Sequence, residues 1–425
     1  MVAIAPFRAL RYNLDLVGSL RQIVAPPYDV ISPEEQDRLY EASPHNIVRL
    51  ILGKQYPADS PTDNRYTRAK QTFDQWRNQR ILIQDNAPAI YLYEHTFRWS
   101  AQPLRRLGFV ALLEFAGSVP DRVLLHEATF EQPKADRRQL LDAVRANLSP
   151  LFCIFSDQRH TIADLLNQWC QTTPPLSTFT VPGPTEVGQD EVVRLWAIPD
   201  PNTIHELKQH LSPVSVLVAD GHHRFEVALA SRHRFGAVMS SFFWLEDPAV
   251  VMRPIHRALC LTNVSPETWG SRLQALCELV PTSSFEQVTR WLTTSERQGQ
   301  FGYYAQGRFY QASLRQEVLA EWLLHPSVPL ALAGLDVTIL HELLIPKLTG
   351  PSLGTNHLLR YTPEPSQAIA LVDSGQADCA WLLRQIPLEQ VFALASQRFT
   401  LPQKSTYFYP KILSGLFINA FDPVR

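Results

Sequence analysis

The apolar run Val214-Ser215-Val216-Leu217-Val218-Ala219 ends abruptly at Asp220-Gly221, and helical spacing begins at once with His222-His223-Arg224-Phe225. A buried strand that turns directly into a helix must pack that helix back on its sheet, which limits the chain to layered α/β architectures. Gly221 permits the tight turn and lets a ligand approach the backbone. The helix start supplies N–H groups and the positive end of a dipole, a ready anion site. Asp220, both histidines and Arg224 add a carboxylate and donors at the same place. An acid, an anion-binding turn and a fixed cation within five residues suit phosphoryl transfer. Asp220 would accept a hydroxyl proton or hold Mg²⁺ while the turn and Arg224 cradle phosphates. The plain alternative is an ordinary Asp-Gly turn with Asp220 as helix N-cap and a solvated histidine pair. Adjacent histidines point about 100° apart on a helix, so zinc chelation by this pair is not expected.

The rest of the chain reads as strands and helices in mixed order. Ala25-Pro26-Pro27-Tyr28-Asp29-Val30 is a proline-fixed turn expected to hold Tyr28 and Asp29 extended. Ser32 is placed to cap a helix that has Pro33 at its first position and Glu35 at its third. Residues 66–78 carry Ala69, Phe73 and Trp76 at helical spacing. Residues 89–97 and 107–115 form a hairpin, and 151–155 a buried strand. A loop with His126-Glu127-Ala128-Thr129 and Pro133-Lys134-Ala135-Asp136-Arg137-Arg138 leads to a helix over 139–146. Residues 171–188 read as loop or edge structure, 202–210 and 222–234 as helices. Three regions follow: 1–120, 121–262 with the Asp-Gly turn, and 263–425.

With 45% hydrophobic and 19% charged residues the chain has ample material for a core. A formal net charge of -2 and a pI near 6.7 argue against a broad basic face for nucleic acid. The five cysteines form no C-x-x-C pair and read as reduced thiols. The N-terminus has no signal-peptide pattern, and no apolar run approaches the roughly 20 residues of a membrane span. A cytoplasmic protein without membrane or nucleic-acid partners is therefore expected. Oligomeric state is open, with a homodimer among the options.

Several polar constellations accompany the turn. Lys404, Ser405, Thr406 and Lys411 put two cations and two hydroxyls in an aromatic stretch, suited to phosphate oxygens. His126, Glu127, Lys134 and Arg137 form a polar set on a loop; a surface ion-pair cluster is the alternative. Tyr28 and Asp29 are candidates for holding a substrate, Asp29 through an amine or a metal; a simple helix-lead turn is the alternative. His256-Arg257 either reaches the same pocket or is a strand end. His341-Glu342-Leu343-Leu344-Ile345 lacks the second histidine of a zincin helix. Gly53-Lys54 lacks the rest of a P-loop, and Gly350 to Gly354 precedes no clear phosphate helix.

Asp220-Gly221-His222-His223-Arg224, running into Phe225 and Ala228, resembles the box of the ParB/sulfiredoxin-like superfamily. The whole chain resembles a bacterial and archaeal family of unknown function numbered one thousand and fifteen. The matching pieces include Pro6-Phe7-Arg8, Ala25-Pro26-Pro27-Tyr28-Asp29-Val30-Ile31, Asn46-Ile47-Val48-Arg49, His126-Glu127-Ala128-Thr129, Asn147-Leu148-Ser149-Pro150, Ile255-His256-Arg257 and the stretch from Lys404 to Lys411. The resemblance implies a ParB-like core whose strand–Gly–helix turn binds phosphates, with further α/β regions at both ends. In free-serine kinases of that superfamily such a box holds the donor beside a carboxylate. Carried over, Asp220 is base or metal ligand, and Gly221, His222, His223 and Arg224 are the cradle. Glu127 is the second acid, and His223 joins both as a candidate catalytic residue.

The expected function is a phosphotransferase acting on a small hydroxyl compound, free L-serine first. The donor would be ATP, ADP or pyrophosphate, with Mg²⁺. The alternatives are a nucleotide-binding, DNA-associated regulatory protein and a nuclease.

Overall fold

The computed structural model describes residues 1–100, 102–115, 121–183, 189–261, 264–350 and 359–421. Residues 184–188 of the loop expected over 171–188, and Gly354, lie outside them. The chain folds as mixed α/β in two compact units. Unit 1 comprises Met1–Leu125, Thr129–Val251 and Pro410–Arg425; unit 2 comprises His126–Ala128 and Met252–Tyr409.

Unit 1 is built on a nine-stranded sheet. Its strands are β1 (Ile4–Ala5), β2 (Ile90–Trp99), β3 (Gln102–Glu114), β4 (Val123–Leu125), β5 (Leu151–Phe155), β6 (Ser177–Val181), β7 (Glu191–Ile198), β8 (Val216–Asp220) and β9 (Ala237–Trp244). They run β4-β8-β5-β9-β3-β2-β7-β6, with β1 beside β3. β8 is parallel to β4 and β9 to β5, while the other pairs are antiparallel. The first six residues of β2 and all of β5 are buried on both faces, which explains the continuous apolar sequence of β5.

Around this sheet stand α1 (Pro33–Ala42), α2 (Arg65–Asn78), α3 (Glu131–Val144), α4 (Thr161–Thr172), α5 (Pro201–Leu211) and α6 (His222–Ala230). Ser32 caps α1 by accepting the Glu35 N–H at 3.1 Å, and α2 buries Ala69, Phe73 and Trp76. Leu151, Cys153 and Phe155 of β5 join Ile162 and Leu166 of α4, Ile204 and Leu207 of α5, and Phe225 and Ala228 of α6 in one core.

Three local expectations need correction. Tyr28 and Asp29 are not extended: Pro27 holds the extended geometry, and Tyr28–Val30 close a 3₁₀ turn behind it. The helix expected from residue 139 begins at Glu131, because Pro133 falls in the first turn, where its missing N–H costs nothing. Lys134 and Arg137 are therefore helical rather than loop residues. The helix from His222 breaks at Ser231, and a short second turn, Arg232–Phe235, ends on Gly236.

Unit 2 contains a six-stranded antiparallel sheet of β10 (His256–Leu259), β11 (Cys277–Thr282), β12 (Gln300–Ala305), β13 (Arg308–Leu314), β14 (Leu359–Thr362) and β15 (Cys379–Leu382). Their order is β11-β13-β12-β15-β10-β14. The helices α7 (Phe285–Thr294) and α8 (Pro365–Asp373) cover it, burying Val288, Leu292 and Ala368 against Tyr304, Ala380 and Leu382. His256-Arg257 resolves as a strand start. No helix among the described residues is long and apolar enough to cross a membrane.

Candidate functional site

In unit 1 the pairing of β8 with β5 shifts register between Val218 and Asp220, so the strand ends on a bulge. Bulges re-aim side chains, and here the bulge precedes a carboxylate. Gly221 follows with φ +94, and a Cβ there would stand 2.8 Å from Leu151 and 2.9 Å from the Arg224 guanidinium. The left-handed backbone strains any other residue, and a Cβ would also make the ends of the Leu151 and Arg224 side chains shift. Gly221, not Asp220, is the N-cap of α6, and the helix start carries no side-chain cap.

Asp220 instead binds two cations. Its Oδ1 accepts from Lys411 Nζ, and its Oδ2 accepts from Arg224 Nη2 at 3.0 Å. The three side chains are 14%, 9% and 14% exposed. Burial alone would push the Asp220 carboxyl up; Lys411 and Arg224, then His222, outweigh it and hold it well below the usual carboxylate range. Arg224 Nη1 also donates to the Pro150 carbonyl at 2.6 Å. His222 is buried, while His223 Nε2 accepts the Phe130 N–H at 3.0 Å.

Beside the turn lies a pocket of about 530 Å³ including its open mouth, lined by Tyr28, Arg137, Asn147, Ser149 and Arg224 over Leu140, Leu141, Val227 and Ala228. The Arg137 guanidinium lies 3.7 Å from the Tyr28 ring centroid. Arg137 Nη1 donates to the Ile51 carbonyl at 3.0 Å, and Asp136 pairs with Arg137 while accepting from Tyr66 and Arg65. Burial, and then the Asp29 charge, raise the Tyr28 phenol to about 12 against the opposing Arg137 and Arg224, so it stays protonated. Asp29 is exposed. Lys134 turns to ion pairs with Glu131 and Glu226.

Unit 2 holds a different arrangement. Glu127 Oε1 accepts from the Ser405 N–H, the Thr406 N–H and the Thr406 hydroxyl, each at 3.0 Å. Its Oε2 faces the Lys404 N–H at 3.3 Å. Lys404 sits at φ +55, which turns these consecutive N–H groups toward one anion. Buried His126 meets the Thr406 hydroxyl at 2.8 Å. Because that hydroxyl's proton goes to Glu127, His126 supplies its own proton from Nε2. Arg257 is 1% exposed, donates to the Lys404 carbonyl at 2.8 Å and contacts His341 at 3.0 Å. Burial lowers its guanidinium to about 10 although Tyr361 and Glu127 oppose the shift.

The sequence groups Lys411 with Lys404, Ser405 and Thr406. The structure divides them, with Lys411 on Asp220 in unit 1 and the other three around Glu127 in unit 2. Arg65 and Tyr66 escape a sequence reading because their contacts with Asp136, the neighbour that pairs with Arg137, span 71 and 70 residues. A Mg²⁺ cage is not prebuilt: among the described residues no three acidic, His or Cys side chains cluster to hold a metal. Both Asp220 oxygens are already engaged by cations.

Fold and site thus define a mixed α/β protein with a cation-flanked strand–glycine–helix turn beside a mostly apolar pocket. The chain belongs to the family of proteins of unknown function DUF1015, whose profile matches residues 4–338. No curated protein matches it in sequence. Among solved structures it is similar to a conserved hypothetical protein from Pyrococcus furiosus, with 14% identity, 69% of this chain and 89% of that one covered, and a TM-score of 0.32. A free serine kinase in complex with AMP gives 12% identity, 68% and 84% coverage, and a TM-score of 0.34. SbnI with a C-terminal truncation, from Staphylococcus aureus, gives 11%, 72% and 85%, and 0.37. All three likenesses are distant in sequence and in superposition.

Proposed function

We propose that unit 1 binds a phosphate-bearing donor at the 220–224 turn and that the protein is a small-molecule phosphotransferase, with free L-serine the first acceptor to test. The observation that carries this reading is the turn itself. A bulged strand, a glycine in left-handed backbone geometry and a helix start without a side-chain cap stand beside two cations held ready by Asp220. Phosphoryl transfer asks a protein mainly for positioning and charge stabilisation, and these groups supply both.

In the resting arrangement Asp220 is a counter-ion and a weak base. Incoming phosphates compete for Arg224 and Lys411. As those cations turn to the donor, Asp220 loses the charges that depress its proton affinity and becomes able to accept a hydroxyl proton. Donor binding thereby switches on the base. Arg137, braced by Asp136 and Tyr28, adds a third positive charge on the pocket wall, and Ser149 and Asn147 offer polar contacts for an acceptor. The donor is ATP, ADP or pyrophosphate, and Mg²⁺ would arrive on its phosphates rather than in a preformed cage. Glu127 serves the 404–406 turn, from which the exposed Lys404 side chain extends.

Purified protein with L-serine and Mg²⁺, offered ATP, ADP or pyrophosphate separately, tests the proposal. Phosphoserine formed by wild type, and reduced about 10²–10³-fold in Arg224→Met, is the expected result. Saturable nucleotide binding with no transfer to serine would favour the regulatory alternative. No binding of any donor would overturn the phosphate-site reading.

A further inference from the structure

Arg106 is wholly buried yet carries a full guanidinium, packed 5.0–5.7 Å from the centroids of Phe97, Phe152 and Phe243. A charge in such a place is costly, and an apolar side chain of similar volume would usually serve stability as well or better. The guanidinium is hydrogen-bonded to Tyr93 and lies near the Asp247 and Glu191 charges, and from Nη2 it also donates to the Pro410 carbonyl at 2.7 Å, across 304 residues of sequence. Pro410 immediately precedes Lys411, and its carbonyl belongs to the peptide that leads into that lysine.

The segment after Pro410 is anchored again farther along. Ser414 exchanges backbone hydrogen bonds with Ala25 at 2.8 and 3.3 Å, and Ile418 does so with Leu10 at 2.9 and 3.1 Å. The Ser414 hydroxyl meets Ser149 at 2.6 Å. Residues 410–418 are thus a strap fastened at three points, and Lys411 lies just inside the first. Its ammonium reaches a carboxylate 191 residues away. A lysine has a long, flexible stem, so its arrival at one oxygen depends on where the backbone is held.

We infer that Arg106 is a positioning residue which, through the Pro410 carbonyl, sets Lys411 against Asp220 and so charges the 220–224 turn. This rests on the proposed phosphate site for its functional meaning, but the clamp is testable without any activity.

The experiment is amine labelling of the intact protein with an acylating reagent, read residue by residue by mass spectrometry. Lys411, 9% exposed and ion-paired, reacts slowly in wild type, whereas Lys70, 54% exposed, serves as internal standard. In folded Arg106→Met the strap loses its first fastening, and Lys411 labelling rises about tenfold or more relative to Lys70. Arg106→Lys restores a donor and recovers part of the protection. Thermal unfolding and circular dichroism confirm that each variant is folded. Should Arg106→Met fail to fold, Arg106→Lys carries the test, with labelling intermediate but clearly above wild type. A folded Arg106→Met in which Lys411 stays as protected as in wild type overturns the inference. Pyrophosphate binding, measured in parallel, separates the two ideas. If wild type binds none while labelling still responds to Arg106, the phosphate-site reading falls and the clamp stands.

Discussion

Each unit holds a mostly buried carboxylate that sequence would class as a catalytic candidate, and the two are neutralised in opposite ways. Asp220 faces the side-chain cations of Lys411 and Arg224. Glu127 faces the N–H groups of a turn and one hydroxyl. Side-chain cations can swing to a ligand's anion and leave their carboxylate exposed to a new partner. Backbone N–H groups cannot leave without unfolding the turn. The first arrangement is convertible and the second is architecture, although the residue types are the same.

The largest break in this comparison comes from Asp220→Asn. Removing one partner of a buried ion pair strands the other, here two cations at once, and costs about 3–5 kcal/mol. Urea unfolding of unit 1 measures it. The convertible character adds a sharper test. Pyrophosphate should stabilise Asp220→Asn more than it stabilises wild type, because the stranded cations gain a replacement anion. Equal stabilisation of both would show that the cations do not turn to phosphate.

Acid provides the next contrast. In unit 2 burial, reinforced by neighbouring Arg257, holds the imidazoles of His256 and His341 down to about 3. Each is an acceptor in the fold: His256 Nδ1 takes the Leu383 N–H at 3.2 Å, and His341 Nε2 takes Arg257 Nε at 3.0 Å. The folded form keeps them neutral while the unfolded chain protonates near 6.5. Their stabilisation is therefore full above about pH 6.5 and lost as pH falls toward 3, at up to about 2 kcal/mol per histidine by pH 5. Asp220 behaves differently. Its folded proton affinity is depressed, so its contribution is intact above the unfolded carboxylate value of about 4 and erodes only below that. Hydrogen exchange, corrected for intrinsic rates, should show Cys379–Leu382 losing protection between pH 6.5 and 4.5. His341→Gln should flatten that response, and an unchanged loss in the variant would contradict the role given to this histidine.

The legibility of the two sites in sequence follows the same division. The 214–224 turn announces itself because every cue is local: a β-rich run, a glycine, then a 3.6-residue period. The helices beginning at Pro33 and Arg65 are readable for the same reason, through a cap in one and the Ala69, Phe73, Trp76 stripe in the other. Pro133 misleads because a proline marks a helix interruption in most positions and is harmless only in the first turn. Arg224 is local to Asp220, but the other partners of the two carboxylates are set by contacts far apart in sequence, 191 residues for Lys411 and 277–279 for residues 404–406. Residue type and spacing carry no record of such pairings. Nothing in the sequence near Lys411 distinguishes it from Lys404, yet one neutralises a carboxylate with its side chain and the other with its backbone.

The smallest predicted effect is also the most direct probe of the architectural carboxylate. In Glu127→Gln the amide oxygen takes the place of Oε1 and keeps the three 3.0 Å bonds from Ser405 and Thr406. The amide nitrogen then meets the Lys404 N–H, donor against donor, where the contact is already a longer 3.3 Å. Charge-assisted bonds become neutral ones and Arg257 loses a nearby counter-charge. The expected cost is about 1–2 kcal/mol, measured by the unfolding midpoint of unit 2 at pH 7. Because the turn is held by geometry rather than by movable cations, added pyrophosphate should recover none of that loss. Recovery would mean that the N–H groups of residues 404–406 accept an external anion in place of Glu127. The turn would then belong with Asp220 among the convertible sites, and the division drawn between the two carboxylates would fail at its second member.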